Sequence, residues 1–255
     1  MAFSDSRVKA PLITLMFHRI HDDAQRFSYQ QFSRYLKYLF DTYPIVVPGD
    51  PLHANQINLC LTFDDAYYDF YFYVYPLLKQ YQIKALLAVP VKYIVEKTTL
   101  PQAQRLQIPY PQGMNGLLYQ EQVPFCTWEE LKEMTDSGWV KIGSHSYSHP
   151  NLTDPDCDLM QEISFSKEIL EDKLKSPIDS FVYPYGRYNP TIHQKVKELY
   201  RWDFRIGSAL NYQWERTGPL YRIDAEKLWP FGHPLSSSLL LKLKTKYWVN
   251  KIRGK

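Results

Sequence analysis

Two aspartates stand side by side at the end of an apolar run in "LTFDDAYYDFY", which begins at Leu61. Adjacent carboxylates repel, and Asp favours neither helices nor strands, so a doublet of this kind ordinarily marks a solvated turn. A second polar cluster changes that reading. "SHSYSHP" sets His145 and His149 four residues apart, so one helical turn carries both imidazoles to one face, and Pro150 discourages helix at His149. Two neutral imidazoles and one carboxylate form a facial set for a divalent catalytic ion, with coordination positions left open. Where a strand breaks into a loop, both carboxylates of the doublet can reach the same mouth. One would bind the cation, whose charge offsets the repulsion, and the other would take a proton from the attacking water. Spacing alone does not say which is which.

Four apolar runs end in residues able to do chemistry: "TLMF" in His18, "LTF" in Asp64 and Asp65, "VKIGS" in His145 and "FVYP" in Tyr185. A β/α barrel builds its active site at the C-terminal ends of several strands at once, so the four coincidences point to one mouth. The expected strands are Leu12–Phe17, Pro44–Val47, Leu59–Phe63, Ala85–Val89, Trp139–Gly143, Ser180–Tyr183 and Phe204–Ile206. They alternate with helical patterns, as βα units around parallel strands do. Caps mark the helices. "TWEEL" is a capping box from Thr127 to Glu130 and is stopped by Gly138, while "TDPD" and "YNPT" place Asp154 and Asn189 before a proline. Residues 95–125 follow neither period and read as a long surface excursion, a candidate substrate-side loop.

Length and composition set bounds. With 255 residues, 45% of them hydrophobic, the chain can fill one large core, so a single domain over residues 1–255 is expected. Its 21 tyrosines suit sugar faces as well as cores. Cys60, Cys126 and Cys157 are an odd number with no C-x-x-C spacing, which argues against a disulfide framework and for a reducing compartment. The apolar run Pro11–Phe17 is short and lacks a cleavage signature, and no run approaches the length of a membrane span; a cytoplasmic protein is expected. The segment Lys242–Lys255 holds six cations and no acid; removing them from the net +3 leaves the body at −3, which excludes nucleic-acid binding by charge. That basic tail, within residues 236–255, reads as a final barrel helix or as a segment resting on an anionic membrane surface.

"TFDDA", "SHSYSHPNL" and "FVYPYG", in that order, resemble the successive signature motifs of the polysaccharide deacetylase (NodB-homology, carbohydrate esterase 4) family. "LMFHRI" resembles its poly-N-acetylglucosamine deacetylase subgroup, and the likeness runs on to "LYRID". The resemblance implies a distorted (β/α)7 barrel that removes acetyl groups from N-acetylated amino sugars of a glycan. It also implies one divalent ion, zinc first, with nickel, cobalt or iron as alternatives. Matched residue by residue, Asp64 is the general base, and Asp65, His145 and His149 are the metal ligands. Tyr185 supplies the oxyanion N–H, with Tyr183 and Pro184 beside it for substrate binding, and Arg222 orients the catalytic Asp. His18 takes the general-acid role, since an amide anion is too poor a leaving group to depart without a proton. His233 in "WPFGHPL" competes for that role, while His21, His53 and His193 have no motif support. Three departures stand out: Ala66 replaces the usual glycine, Phe181 occupies the place of an arginine, and the C-terminal Leu-x-His motif is not evident. An O-acetyl esterase, an amino-sugar deformylase and a non-catalytic carbohydrate-binding relative are the rival readings. The intact base and ligands argue against the last.

Overall fold

The computed structural model describes residues 10–20, 28–109, 112–214, 218–228 and 235–253. Seven strands form it: β1 (Leu12–Phe17), β2 (Asn58–Phe63), β3 (Ala85–Val89), β4 (Val140–Ser144), β5 (Ser180–Val182), β6 (Trp202–Ile206) and β7 (Leu220–Asp224). All neighbours are parallel, and β7 pairs back onto β1 to close the barrel in sequence order. This is the expected (β/α)7 barrel. The helices are α1 (Tyr29–Thr42), α2 (Tyr75–Tyr81), α3 (Gln102–Leu106), α4 (Leu118–Glu121), α5 (Trp128–Asp136), α6 (Ser166–Leu174), α7 (Pro190–Leu199) and α8 (Ser237–Ile252).

Strand alternation divides the apolar residues into two cores. Leu12, Cys60, Leu86, Ala88, Val182, Phe204 and Leu220 fill the lumen, whereas Ile13, Leu61, Phe63, Leu87 and Phe181 pack outward under the helices. Both faces are covered, which is why β1, β2 and β3 are buried along their whole length. The parity that sends Leu12 and Cys60 inward also sends His18 and Asp64 inward at the upper rim.

Several expectations are corrected. Pro44–Val47 is not a strand; it makes one bridge, Ile45 to Leu59, because prolines at 44 and 48 deny it a ladder. A seventh strand lies instead at Leu220–Asp224, where Arg222 interrupts the apolar run yet points into the lumen. No helix starts at Pro155. Asp154 closes a turn with Asn151, and Asp158 caps the helical stretch by accepting from Met160 and Gln161 N–H at 2.9 and 3.2 Å. The Thr127 capping box and the Asn189 cap are both present, and Gly138, at φ 76°, follows the end of α5. Most aromatics after the Asp doublet build the wall. Phe70 packs on Phe63 at 4.9 Å and Tyr67 on Phe125 at 4.5 Å.

The basic tail is α8, which docks through Leu243 with Tyr247 edge-on to Tyr212 at 4.6 Å. No helix among the described residues is long and apolar enough to cross a membrane.

The 95–125 excursion carries α3, α4 and a single 3-10 turn, and two arginines hold it down. Arg105 is 4% exposed: its guanidinium donates to the Val123 and Phe125 carbonyls, pairs with Glu130 at 2.6 Å, and lies 3.5 Å over the Tyr68 ring. Arg19, next to His18, donates to the carbonyls of Leu106 and Ile108. Removing Arg105 leaves a carboxylate and two carbonyls short of donors. Arg105→Ala is therefore expected to lower unfolding stability by about 3 kcal/mol in denaturant titration and to raise amide exchange across residues 95–125. Unchanged exchange there would show that the excursion is held by something else.

Candidate active site

The barrel ladder fixes the rim residues. Asp64 N–H donates to the Phe17 carbonyl and His145 N–H to the Val89 carbonyl, both at 2.9 Å, so each continues a strand pairing by one step. His18 and Asp64 lie one residue beyond the paired Phe17 and Phe63. After Asp64 the chain reverses, with Asp65 at φ 70° and Ala66 at φ 53°. Left-handed backbone at non-glycine residues costs roughly 1–2 kcal/mol each, and here it brings two consecutive carboxylates to one mouth. The His145–His149 loop repeats the device at Ser146 and His149, with φ of 66° and 59°. Its serines hold it. Ser144 Oγ accepts from Ser146 N–H, Ser146 Oγ accepts from His149 N–H, and buried Glu162 accepts from both the N–H and the hydroxyl of Ser148.

Three of these side chains converge on one point. His145 Nδ1 donates to the Val182 carbonyl at 2.8 Å, which leaves the Nε2 lone pair facing the mouth. Burial pushes the His145 pKa down to about 4, so the ring is neutral at physiological pH. His149 Nε2 lies 3.1 Å from His145 Nε2, and Asp65 Oδ1 lies 3.7 and 3.6 Å from the two nitrogens. Asp65 Oδ1 is buried without a hydrogen-bond partner. Ligand atoms from all three residues fall within 4.8 Å of one another. A buried, unsatisfied carboxylate oxygen beside two imidazole nitrogens fits a divalent cation, which these three residues would hold.

Asp64 faces the same point but is engaged elsewhere. Arg222 reaches up the lumen and donates to Asp64 Oδ1 at 2.6 Å and Oδ2 at 2.8 Å, with a further bond to Thr62 Oγ1 at 3.2 Å. Burial raises the Asp64 pKa, but the Arg222 guanidinium outweighs it and holds the carboxyl far below the usual carboxylate range. His18 shifts the opposite way. Burial disfavours its charge, yet the hydrogen bond from Nδ1 to Glu226 at 3.1 Å and the facing charges of Asp64 and Asp65 push its pKa up to about 9. Glu226 also accepts from the His18 N–H at 3.0 Å.

The aromatic motif splits in two. Tyr185, at φ 56°, is exposed, with its ring 4.8 Å from His149. Tyr183 points away from the mouth, fully buried, its hydroxyl donating to Asp203 at 3.0 Å; Pro184 is buried in the turn between them. His193 lies on that far side, 3.0 Å from Asp203, and His53 is exposed in a loop. His21 and His233 lie outside the described residues. Sequence reasoning missed Glu226, Glu162 and Arg19, none of which lies in a motif. The only signal for Glu226 was its place just beyond "LYRID".

The chain is similar to known proteins in sequence and in fold. The family model described as polysaccharide deacetylase matches residues 53–200. A Bacillus subtilis (strain 168) protein whose name assigns it to the same family, YxkH, is 27% identical over 190 residues, or 71% of this chain. The chain spans 58% of that relative's length. Among solved structures, the Streptococcus pyogenes deacetylase PplD in complex with acetate superposes with a TM-score of 0.66 at 23% identity, covering 92% of this chain and 98% of that one. IcaB from Ammonifex degensii gives 0.65 at 21% identity, over 84% of this chain and 91% of that one. At these identities the two structures share the fold.

The Glu226 contact makes His18 testable. Its folded pKa lies above the ordinary 6.5, so the stability it contributes is complete below pH 6.5 and is lost as pH rises through about 9. In metal-free protein followed by NMR, His18 should titrate near 9 in the native chain and well below that in Glu226→Gln. The stability gap between the two proteins should be widest below pH 6.5 and close above pH 9. A variant whose His18 still titrates near 9 would show that Glu226 does not hold the proton.

Proposed function

The chain belongs to the polysaccharide deacetylase family, and on that premise we propose that it hydrolyses the N-acetyl group of an amino sugar within a glycan. A divalent ion, zinc in the first place, would be held by Asp65, His145 and His149. The observation that carries this reading is the convergence of those three ligand atoms beside an aspartate fixed by Arg222. The acetate bound in the PplD structure corresponds to the product expected here.

When bound, such an ion supplies Lewis acidity toward the amide carbonyl and the attacking water. The residues of the chain do the rest. Asp64 is ionised at any physiological pH, and the fork of Arg222 fixes both of its oxygens, so its direction is set before substrate arrives. It accepts the proton of the attacking water. The Tyr185 turn supplies a backbone N–H for the developing oxyanion. His18, protonated at neutral pH with Nδ1 on Glu226, turns Nε2 to the departing nitrogen and donates the proton that lets it leave as an amine. Water and amide thus become acetate and amine. Tyr183 serves the turn, not the substrate.

The test is acyl release by purified protein from a panel of N-acetylated, O-acetylated and N-formylated glycans. Acetate from the N-acetylated members, with a free amine left behind, is the expected result. Formate alone, or acetate only from the O-acetylated members, would move the chain to the deformylase or esterase reading.

Two substitutions separate the aspartates. Asp64→Asn should keep the metal and lose about 10²- to 10⁴-fold in kcat, the usual loss of a general base. Asp65→Asn, like the His145→Ala, His149→Ala double variant, should lose the metal itself in elemental analysis. The reverse pattern for the two aspartates would exchange their roles.

A further inference from the structure

A groove of about 610 Å³ adjoins the turn that carries Tyr185, beginning at Gly186. It runs along the chain that follows, lined by Arg187, Tyr188 and Asn189, with Thr153 from beyond His149 and Arg205 of β6 also contributing. That volume accommodates a sugar residue with a substituent. The turn is pressed against β6: Gly186 is left-handed at φ 65°, and a side chain there would sit 3.0 Å from Ile206, next to Arg205. Two arginines therefore share one groove.

Arg187 is exposed and Arg205 half-buried, and their surroundings differ from those of Arg222 and Arg105, the two buried arginines that hold carboxylates. Arg222 is paired with Asp64, and Arg105 with Glu130. Arg187 and Arg205 have no carboxylate within ion-pair distance among the described residues, and no Asp or Glu lines the groove. Arg205 is nonetheless held in place. Its Nη1 donates to Tyr188 Oη at 3.2 Å, and its guanidinium lies 5.6 and 5.3 Å from the Tyr188 and Tyr221 ring centres. The start of the ten-residue helix α7, capped by Asn189, adds the positive end of its dipole to the same space. A half-buried guanidinium held by two aromatic rings, lining a groove and paired with no carboxylate among the described residues, is built to receive an oxyanion.

We propose that this groove is a subsite for an anionic substituent, phosphate or carboxylate, carried by the glycan next to the sugar that is deacylated. The identity of the ligand as a glycan rests on the function proposed above; the anion preference rests on the groove.

Calorimetry at low salt can test the two separately, using three tetrasaccharides: neutral N-acetylchitotetraose, the same oligomer carrying a phosphate, and a hyaluronan tetrasaccharide with glucuronate carboxylates. The native protein should bind one or both acidic ligands at least tenfold more tightly than the neutral one. In Arg187→Gln, Arg205→Gln that ratio should collapse toward unity, and Arg205→Lys should retain part of it. Arg187→Gln alone, at an exposed position, should lower the ratio without affecting the melting temperature, which guards against misfolding of the double variant. Which acidic ligand is preferred identifies the substituent. Equal binding of all three, or a preference that survives the double substitution, overturns the subsite. Acetate release measured in parallel judges the hydrolase reading: binding preference without acetate leaves the subsite standing and removes the hydrolase.

Discussion

A charged guanidinium inside a seven-stranded barrel is the constraint on which the site depends. Arg222 is 1% exposed and projects into the lumen, where an unpaired cation would cost several kcal/mol. Asp64 makes it tolerable by taking both arms of the fork, and Thr62 accepts one further bond. The pair is reciprocal. The same contact that neutralises the arginine removes the rotational freedom of the carboxylate and lowers its basicity. A carboxylate so depressed cannot deprotonate ordinary water efficiently. As the proposed base it would need water made more acidic, and the neighbouring Asp65, His145 and His149 are placed to hold a cation that would supply that acidity. Under the proposed function, the ion pair and the Asp65, His145 and His149 set are therefore complementary halves of one device.

The three ionisable residues around that device are poised in different states at neutral pH. Arg222 keeps Asp64 charged, burial keeps His145 neutral, and Glu226 keeps His18 protonated. These are the forms that the proposed roles of base, ligand and acid require before substrate enters. Environments that push the pKa values of neighbouring groups apart are how a single pocket runs acid and base chemistry together. The partners responsible come from opposite sides of the barrel closure: Asp64 from β2 and Arg222 from β7, His18 from the end of β1 and Glu226 from just beyond β7. Closing β7 onto β1 is what brings them together.

That origin explains what could be read from the sequence. The Asp doublet, the His145–His149 loop and most strand ends were legible because they are local: a few adjacent residues carry both the element and its polar terminus. The family motifs helped for the same reason. Glu226 and Glu162 were not legible, since each acts on a residue distant in the chain and has no local pattern to mark it. β7 was hidden by its own function, because Arg222 makes "LYRID" look half solvated when the charge in fact faces a lumen. Tyr183 was misjudged beside Tyr185 because residues two apart on a strand share a face, whereas β5 ends at Val182 and the left-handed turn at Tyr185, φ 56°, breaks that parity. The tyrosine content carried little information about sugars; Tyr67, Tyr68 and Tyr183 spend their rings on core contacts.

Strain supplies what alternation withholds. A regular strand would send Asp64 and Asp65 to opposite faces, and likewise the residues around His145. The barrel departs from that rule at Asp65, Ala66, Ser146, His149 and Tyr185, all left-handed and all at the mouth. Ala66 shows how such strain is carried. A glycine would adopt φ 53° without penalty, whereas alanine there costs roughly 1–2 kcal/mol. Alanine gives up less backbone entropy on folding, by about 0.5–1 kcal/mol, and its fully buried methyl contributes about 0.8 kcal/mol. The terms nearly cancel, and the Ala66 carbonyl is tied down by Cys126 N–H at 2.8 Å. The turn that makes two carboxylates converge can therefore be built without the usual glycine, because packing and one long-range hydrogen bond replace its conformational freedom.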